Sequence, residues 1–208
     1  MKVLVACEFS GVVRDAFRNL GHDAWSCDLL PCEGNPAWHI QGDVRASVCR
    51  TGMWYYDLII AHAPCTRLAN SGARWLAGNP PPGKTKVQMW REFFDGVELF
   101  NFFKGKAKRV ARENPIPHCH ARELIGNYTQ IIHPWQFGHK EMKSTCLWLE
   151  GLPKLEPTDV VGPPPKDKDE RKKWARVHRE SPGPDRWKNR SRTLQGIATA
   201  MAEQWGEG

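Results

Sequence analysis

What most constrains the fold is an alternation along the chain. Short, nearly unbroken apolar runs end in Gly, Asp or Pro turns and give way to segments whose apolar residues recur at helical spacing. Lys2 to Cys7 is the first run; after Phe9-Ser10-Gly11, residues Val12, Val13, Ala16, Phe17 and Leu20 repeat at helical intervals until Gly21 stops them. Asp23 to Cys27 reads as a second strand ending at Asp28, and Gly42-Asp43-Val44 follows a loop carrying Pro31, Gly34 and Pro36. Further strands are expected at Asp57 to His62, Arg109 to Glu113, Thr129 to His133 and Cys146 to Leu149, with a short helix at Ala121 to Ile125. Strands alternating with helices predict an α/β fold: a mostly parallel sheet with helices on both faces and ligand sites at the carboxyl ends of the strands. Gly11, Asp28, Asp43, Cys65 and Glu113 all follow strand ends in this reading.

Two helical patterns are explicit. From Lys86 to Phe103, residues Trp90, Phe93, Phe94, Val97, Phe100 and Phe103 form one stripe, read as core packing; Thr193 to Trp205 forms the last helix, with Ile197, Ala200, Met201 and Gln204 on one face. A length of 208 residues fits one domain of ordinary size. No apolar run approaches the ~20 residues of a membrane span, and the apolar N-terminal run leads into Glu8 as a strand rather than a leader, so a cytoplasmic protein is expected. The seven cysteines are scattered without a Cys-x-x-Cys pair, and His118-Cys119-His120 lacks a second ligand pair, so neither a disulfide framework nor a metal is expected.

The formal charge of +7 is concentrated: between Lys166 and Arg192 there are eleven Lys/Arg against five Asp/Glu. Trp174 and Trp187 are interleaved with them, a composition that suits a phosphate backbone and stacked bases, and also a solvated basic loop.

Cys65 lies in Asp57-Leu-Ile-Ile-Ala-His-Ala-Pro-Cys-Thr66, on a Pro-bearing turn past an apolar strand, and Glu113-Asn114-Pro115 follows another strand. A thiol with an acid partner suits nucleophilic addition to an electron-poor carbon. Asp28 and Asp43 suit ribose hydroxyls and an adenine amino group, as acids do in nucleotide-binding doubly wound folds. Taken singly, the same residues also fit a buried inert thiol, a surface carboxylate and turn or cap residues.

In order, these motifs resemble the DNA cytosine C5 methyltransferase family, in particular small phage-type members. Phe9-Ser10-Gly11 looks like the family's turn for S-adenosylmethionine, Asp28 like its ribose acid, Gly42-Asp43-Val44 like its adenine-contacting motif and Pro64-Cys65 like its catalytic loop. Glu113-Asn114-Pro115 is similar to the motif whose glutamate meets the cytosine ring. Lys143 and Thr145 stand where the family carries two arginines, Thr66 stands where it has glutamine, and the second turn glycine is replaced around Val13-Arg14.

The resemblance implies a Rossmann-like S-adenosylmethionine-dependent methyltransferase fold. Residues 1–153 would be catalytic, 154–191 a Pro-rich basic insertion in place of a target-recognition region, and 192–208 a helix completing the catalytic domain. It implies Cys65 and Glu113 as catalytic residues, with Phe9, Gly11, Asp28, Asp43 and Pro64 at the cofactor. Asn114, Lys143, Thr145, Arg190 and Arg192 would serve the substrate, and DNA would be the partner. Glu113 would need a raised pKa to act as the acid on N3. The short recognition segment also allows a pyrimidine mononucleotide as substrate, or a nucleic-acid-binding protein that has lost catalysis.

Overall fold

In β1 (Lys2–Ala6) every residue after Lys2 is buried, because the strand lies inside a sheet covered on both faces. Val3 and Val5 point into one core and Leu4 and Ala6 into the other, as the two-residue period of a strand requires. The computed structural model describes residues 1–52 and 54–207. Along the chain follow α1 (Val12–Asn19), β2 (Asp23–Asp28), β3 (His39–Gln41), α2 (Val44–Thr51), β4 (Leu58–Ala61), α3 (Asn70–Ala77) and α4 (Lys86–Phe102). Then come β5 (Arg109–Pro115), α5 (Cys119–Ile125), β6 (Gln130–Ile132), β7 (Thr145–Glu150), α6 (Lys168–Lys173), α7 (Arg186–Ser191) and α8 (Gln195–Gly206).

The strand order is β3-β2-β1-β4-β5-β7-β6. The pairs β3–β2, β2–β1, β1–β4 and β4–β5 are parallel, while β7 runs antiparallel to both β5 and β6. This is a Rossmann-like, doubly wound fold: the sheet grows first from β1 through β2 to β3, then from β1 through β4 to β5, leaving a crevice at the reversal. Antiparallel pairing has a local consequence, because it puts the start of β7 beside the end of β5, with Thr145 opposite Pro115 and Asn114 opposite Cys146.

On one face, α1 and α8 pack together, and Ile197, Ala198, Ala200, Met201, Ala202 and Trp205 fill a core shared with Val13, Ala16 and Phe17. The Trp205 indole is fully buried and donates to the Pro153 carbonyl, which satisfies its polar edge. On the other face α2, α4 and α5 cover the sheet. The capping box of Thr85 and Gln88 fixes where α4 begins.

Two expectations are corrected, and one helix is added. Phe93, Phe100 and Phe103 are buried, but Trp90 and Phe94 are exposed and stack tilted against each other, because the aromatic stripe is wider than the face α4 presents to the core. Trp174 is buried, and its carbonyl accepts from Met142 N, so it anchors the basic segment and offers no face for a base to stack on. After Gly42-Asp43-Val44, where the sequence gives no helical signal, the chain forms α2, whose inner face is only Val44, Ser47 and Val48, too small a stripe to stand out by periodicity. Among the described residues no helix is long and apolar enough to cross a membrane.

Candidate active site at the strand ends

Cys7, immediately past β1, has a φ of 58°, a conformation that strains a residue with a side chain. The kink turns Glu8 inward. Its carboxylate accepts from the N–H groups of Val13 (2.7 Å) and Arg14 (3.3 Å), capping the first turn of α1 from within the protein. Burial pushes the Glu8 carboxyl up, against the opposing effects of His62 and those N–H groups. Gly11 has a φ of 75°, and a Cβ there would lie 2.4 Å from Arg14 Nη2, so glycine is required both by the turn and by the packed guanidinium. The Arg14 side chain is fully buried and donates to Asp15, Ser26 and Cys32, filling the place opened by the absent second glycine.

Phe9 is buried, with Trp187 at 6.3 Å and Lys188 over its ring, so α7 roofs this turn. Arg192 and Lys188 both pair with Glu33, and Arg192 holds the Glu33 carboxyl below the usual range. Asp28 accepts from Leu30 N through one oxygen, and its carbonyl accepts from Gly42 N, tying the ends of β2 and β3 together. Asp43 caps α2 through Arg45 N and is clamped by the Arg45 guanidinium, which holds its carboxyl low.

The second half of the site is built by two loops sewn together. Past β4, Cys65 O accepts from Leu68 N and Ala69 N, forming a tight turn into α3. Asn70 N donates to Ile116 O, His118 N to Leu68 O, and His118 Nε2 to Arg67 O at 2.7 Å. With its Nδ1 accepting from Ala121 N, His118 serves as a neutral strut between the Cys65 turn and α5. Among the described residues no cluster able to hold a metal ion occurs, and His118 has this structural employment instead. Gly72 permits the close approach: a Cβ there would fall 2.2 Å from Thr66 O.

Within this frame Cys65 is partly exposed and Pro64 exposed. The surrounding protein and the Glu113 carboxylate push the Cys65 thiol up, while Lys143 and Arg190 act in the opposite direction. Glu113 is mostly buried and its Oε2 lies 3.6 Å from His62 Nδ1, an ion-pair separation longer than a good hydrogen bond. Burial opposes both charges, yet the pairing prevails, so His62 is raised and Glu113 lowered, with Lys143 reinforcing the carboxylate. The raised pKa that Glu113 would need as an acid is not what its surroundings favour: pairing with His62 holds its carboxyl low.

Asn114 is buried; its amide donates to the Pro115 carbonyl while its Oδ1 has no partner among the described residues. Lys143 Nζ donates to the Arg192 carbonyl, and Thr145 is buried at the start of β7. A narrow cleft lined by Glu113, Lys143, Thr145, Thr193 and Leu194 opens between them. The fold thus sets Glu113 and Lys143 on one cleft, with Cys65 within electrostatic reach of Glu113, Lys143 and Arg190, and places Asp28 and Asp43 along the β2–β3 edge. The roles of Glu8 and His62 escaped sequence reading, and His118, weighed there only as a metal ligand, is a strut between two loops. Of the first two only His62 carried a signal, a histidine interrupting the apolar run Leu58-Ile-Ile-Ala61 just before Pro64-Cys65.

No protein-family model matches the chain, and no curated protein matches it at a significant level. Solved structures do resemble it. One is a proposed DNA modification methyltransferase encoded within an E. coli prophage, with 13% identity over 77% of this chain and 51% of that one, at a TM-score of 0.46. Another is a mutant of Spodoptera frugiperda DNMT2, with 15% identity over 80% of this chain and 56% of that one, at a TM-score of 0.36. This chain spans about half the length of either.

Proposed function

We propose that this chain methylates cytosine C5 in DNA, with S-adenosylmethionine as methyl donor, Cys65 as nucleophile and Glu113 as the acid on the base. The observation that supports it best is the stitching of the Cys65 turn to the loop after Glu113, through Asn70–Ile116, Leu68–His118 and Arg67–His118. Two loops far apart in the chain are held as one unit, which is what a reaction needing a thiol and an acid on one ring requires.

The chemistry follows from the residue types. Cys65 gives its proton to solvent and its sulfur bonds to C6; the C5=C6 electrons shift to form C4=C5, the C4=N3 pair moves onto N3, and N3 receives a proton from Glu113. Lys143 and Arg190 favour the thiolate that this step needs. C5, now electron-rich, forms the bond to the transferred methyl group. Loss of the C5 proton to water, return of the N3 proton to Glu113 and departure of Cys65 as thiolate then restore the ring. The target base has to leave the stack or be single-stranded for Cys65 to reach it.

The cofactor reading rests on the β1–β3 edge. The Gly11 turn allows close backbone approach, and Asp28 keeps an oxygen free for a hydroxyl donor. Asp43 fits an amino donor only after releasing Arg45. Bound there, S-adenosylmethionine would supply the electrophilic methyl group for cytosine C5. Asn114, Thr145 and Arg192 border the substrate side in this reading.

Incubation with S-adenosylmethionine and an oligonucleotide containing 5-fluorocytosine tests it, because fluorine cannot leave as a cation and the adduct persists. Mass spectrometry is expected to find the adduct on Cys65 and none with Cys65→Ala. Cys7 and Cys146 make useful contrasts, since burial pushes their thiols up to about 12 and about 11. No adduct on single- or double-stranded substrate would defeat the reading, and an adduct on exposed Cys119 would defeat the site assignment. Methylation of a free deoxycytidine nucleotide but not of DNA would move the substrate to the mononucleotide.

A further inference from the structure

Glu113 presents a difficulty for the chemistry it is given: it is a buried carboxylate at rest, and an acid must arrive with a proton. The group facing it is His62, whose side chain is 10% exposed and whose Nδ1 lies 3.6 Å from Glu113 Oε2. His62 follows β4 at the central crevice, three residues before Cys65. Charged groups from three elements act on it: Glu113 from β5 and Glu8 from the turn after β1 favour its protonated form, and Lys143 from the loop before β7 opposes it. Its second nitrogen, Nε2, is buried without a hydrogen-bond partner among the described residues. A buried imidazole flanked by two carboxylates and left with an unpaired nitrogen is poorly explained as packing, since a small apolar residue would avoid the cost of the unpaired group.

We propose that His62 is the proton reservoir for Glu113: the Nδ1 proton passes to Glu113 as the base enters, and Glu113 donates it to N3. The inference rests on the reading of function above and adds a residue to it. The balance is simple. The His62 Nδ1–H bond breaks and a Glu113 O–H bond forms; that bond breaks as the N3–H bond forms, leaving neutral imidazole and carboxylate. When Cys65 departs, N3 returns the proton along the same path, so no external acid is consumed. His62 touches neither substrate nor cofactor in this scheme and acts through Glu113 as a positioning and charging residue. Glu8 is fixed by the N–H groups of Val13 and Arg14, and while ionised it adds to the Glu113 effect in favouring protonated His62.

The sign of the pH dependence follows. With the pair intact, His62 stays charged to a higher pH than an ordinary histidine, so methyl transfer is sustained through neutrality and declines as pH rises past that raised value. Without His62, the proton has to reside on a carboxyl group alone, whose ordinary value lies about two units below that of histidine.

The experiment is the pH profile of kcat and KM for wild type and His62→Asn, on the whole chain, with folding checked by thermal unfolding. We expect the alkaline limb of kcat to move about two pH units toward acid, a loss of about 10²-fold at pH 8 that is largely recovered at low pH, with KM for DNA little changed. An unmoved alkaline limb, or a loss confined to KM, overturns the proposal. A second measurement needs no turnover: the ¹⁵N shifts of the His62 ring in the resting protein. They are expected to titrate above the ordinary histidine range and to fall into it in Glu113→Gln. Titration at the ordinary value, or indifference to Glu113→Gln, overturns the proposal even if the enzyme methylates DNA. Absence of methyl transfer by wild type, with the ring shifts as expected, overturns the functional reading and with it the relay to N3, but leaves the proton-bearing pair standing.

Discussion

The two halves of the carboxyl edge treat their polar groups in opposite ways. On the β1–β2–β3 side the protein's own donors engage the acids: Glu8 caps α1, Asp28 takes Leu30 N, Glu33 holds Arg192 and Lys188, and Asp43 is clamped by Arg45. On the β4–β5–β7 side His62 Nε2 and Asn114 Oδ1 are buried with no partner among the described residues. Each such group costs about 1–3 kcal/mol, and a frame as tightly stitched as the Cys65 turn and the Ile116–His118 loop cannot relax to relieve it. One half therefore has to exchange existing bonds when a ligand arrives, while the other gains bonds it lacks. Binding on the first side is expected to be modest, and chemistry on the second sensitive to small changes.

Glu113→Gln puts this contrast to its hardest test. Adduct formation on 5-fluorocytosine DNA is expected to slow by about 10²- to 10⁴-fold, the range for losing a general acid, whereas the same change at Glu33 leaves the chemical step unaltered. Stability carries a further signature. A depressed carboxyl contributes stability above its unfolded value and loses it as pH falls through the folded one, so the stability gap between wild type and Glu113→Gln narrows on acidification. A gap that is constant with pH in denaturant titrations would mean that the His62–Glu113 pair is not formed.

Gly72→Ala tests the stitched frame itself. The new Cβ would meet Thr66 O at 2.2 Å, so the Cys65 turn has to shift, with an expected loss of about 1–3 kcal/mol in thermal or denaturant unfolding and a slower adduct. Unchanged stability and adduct rate would show that the turn tolerates movement. On the opposite side, Asp43→Ala removes the α2 cap and is expected to cost about 0.5–2 kcal/mol of stability. Calorimetry with S-adenosylmethionine then separates the cap from a ligand-binding role, since a pure cap leaves affinity unaltered.

The smallest expected effect lies outside both halves. Lys172, Lys173, Arg176 and Arg179 gather around an open hollow on the basic segment. Reversing two of these charges is expected to reduce the slope of log affinity for DNA against log salt by about one for each phosphate no longer neutralised, with little change in rate once DNA is saturating. An unchanged slope would make the hollow a solvated surface.

Much of the frame was legible because buried parallel strands must be apolar on both faces. Lys2 to Cys7, Asp23 to Asp28 and Asp57 to His62 stand out for that reason, and their helices follow at helical spacing. The three-residue strand β3 and the thinly apolar α2 carry too few apolar positions to register. Trp90 and Phe94 misled because periodicity measures which residues share a face, while burial depends on how much of that face a neighbour covers. Trp174 misled in the opposite sense: its basic neighbours suggested a surface, but its own packing anchors the segment.

The strand–turn–helix order, and with it the placing of Gly11, Asp43 and Cys65 past strand ends, was legible in the amino-acid sequence, because hydrophobic periodicity and turn chemistry are local properties; Asp28 and Glu113, expected past strand ends too, lie within β2 and β5, because pairing with a neighbouring strand extends each strand beyond its apolar run. What those side chains face was left to the folded chain. That His62 meets Glu113, that Glu8 occupies the α1 N-terminus, and that Arg45 clamps Asp43 depend on packing between segments and on shared burial. The charge state of a buried group is set by its neighbours in space, and for that reason the direction of the Glu113 shift could be read only from the fold.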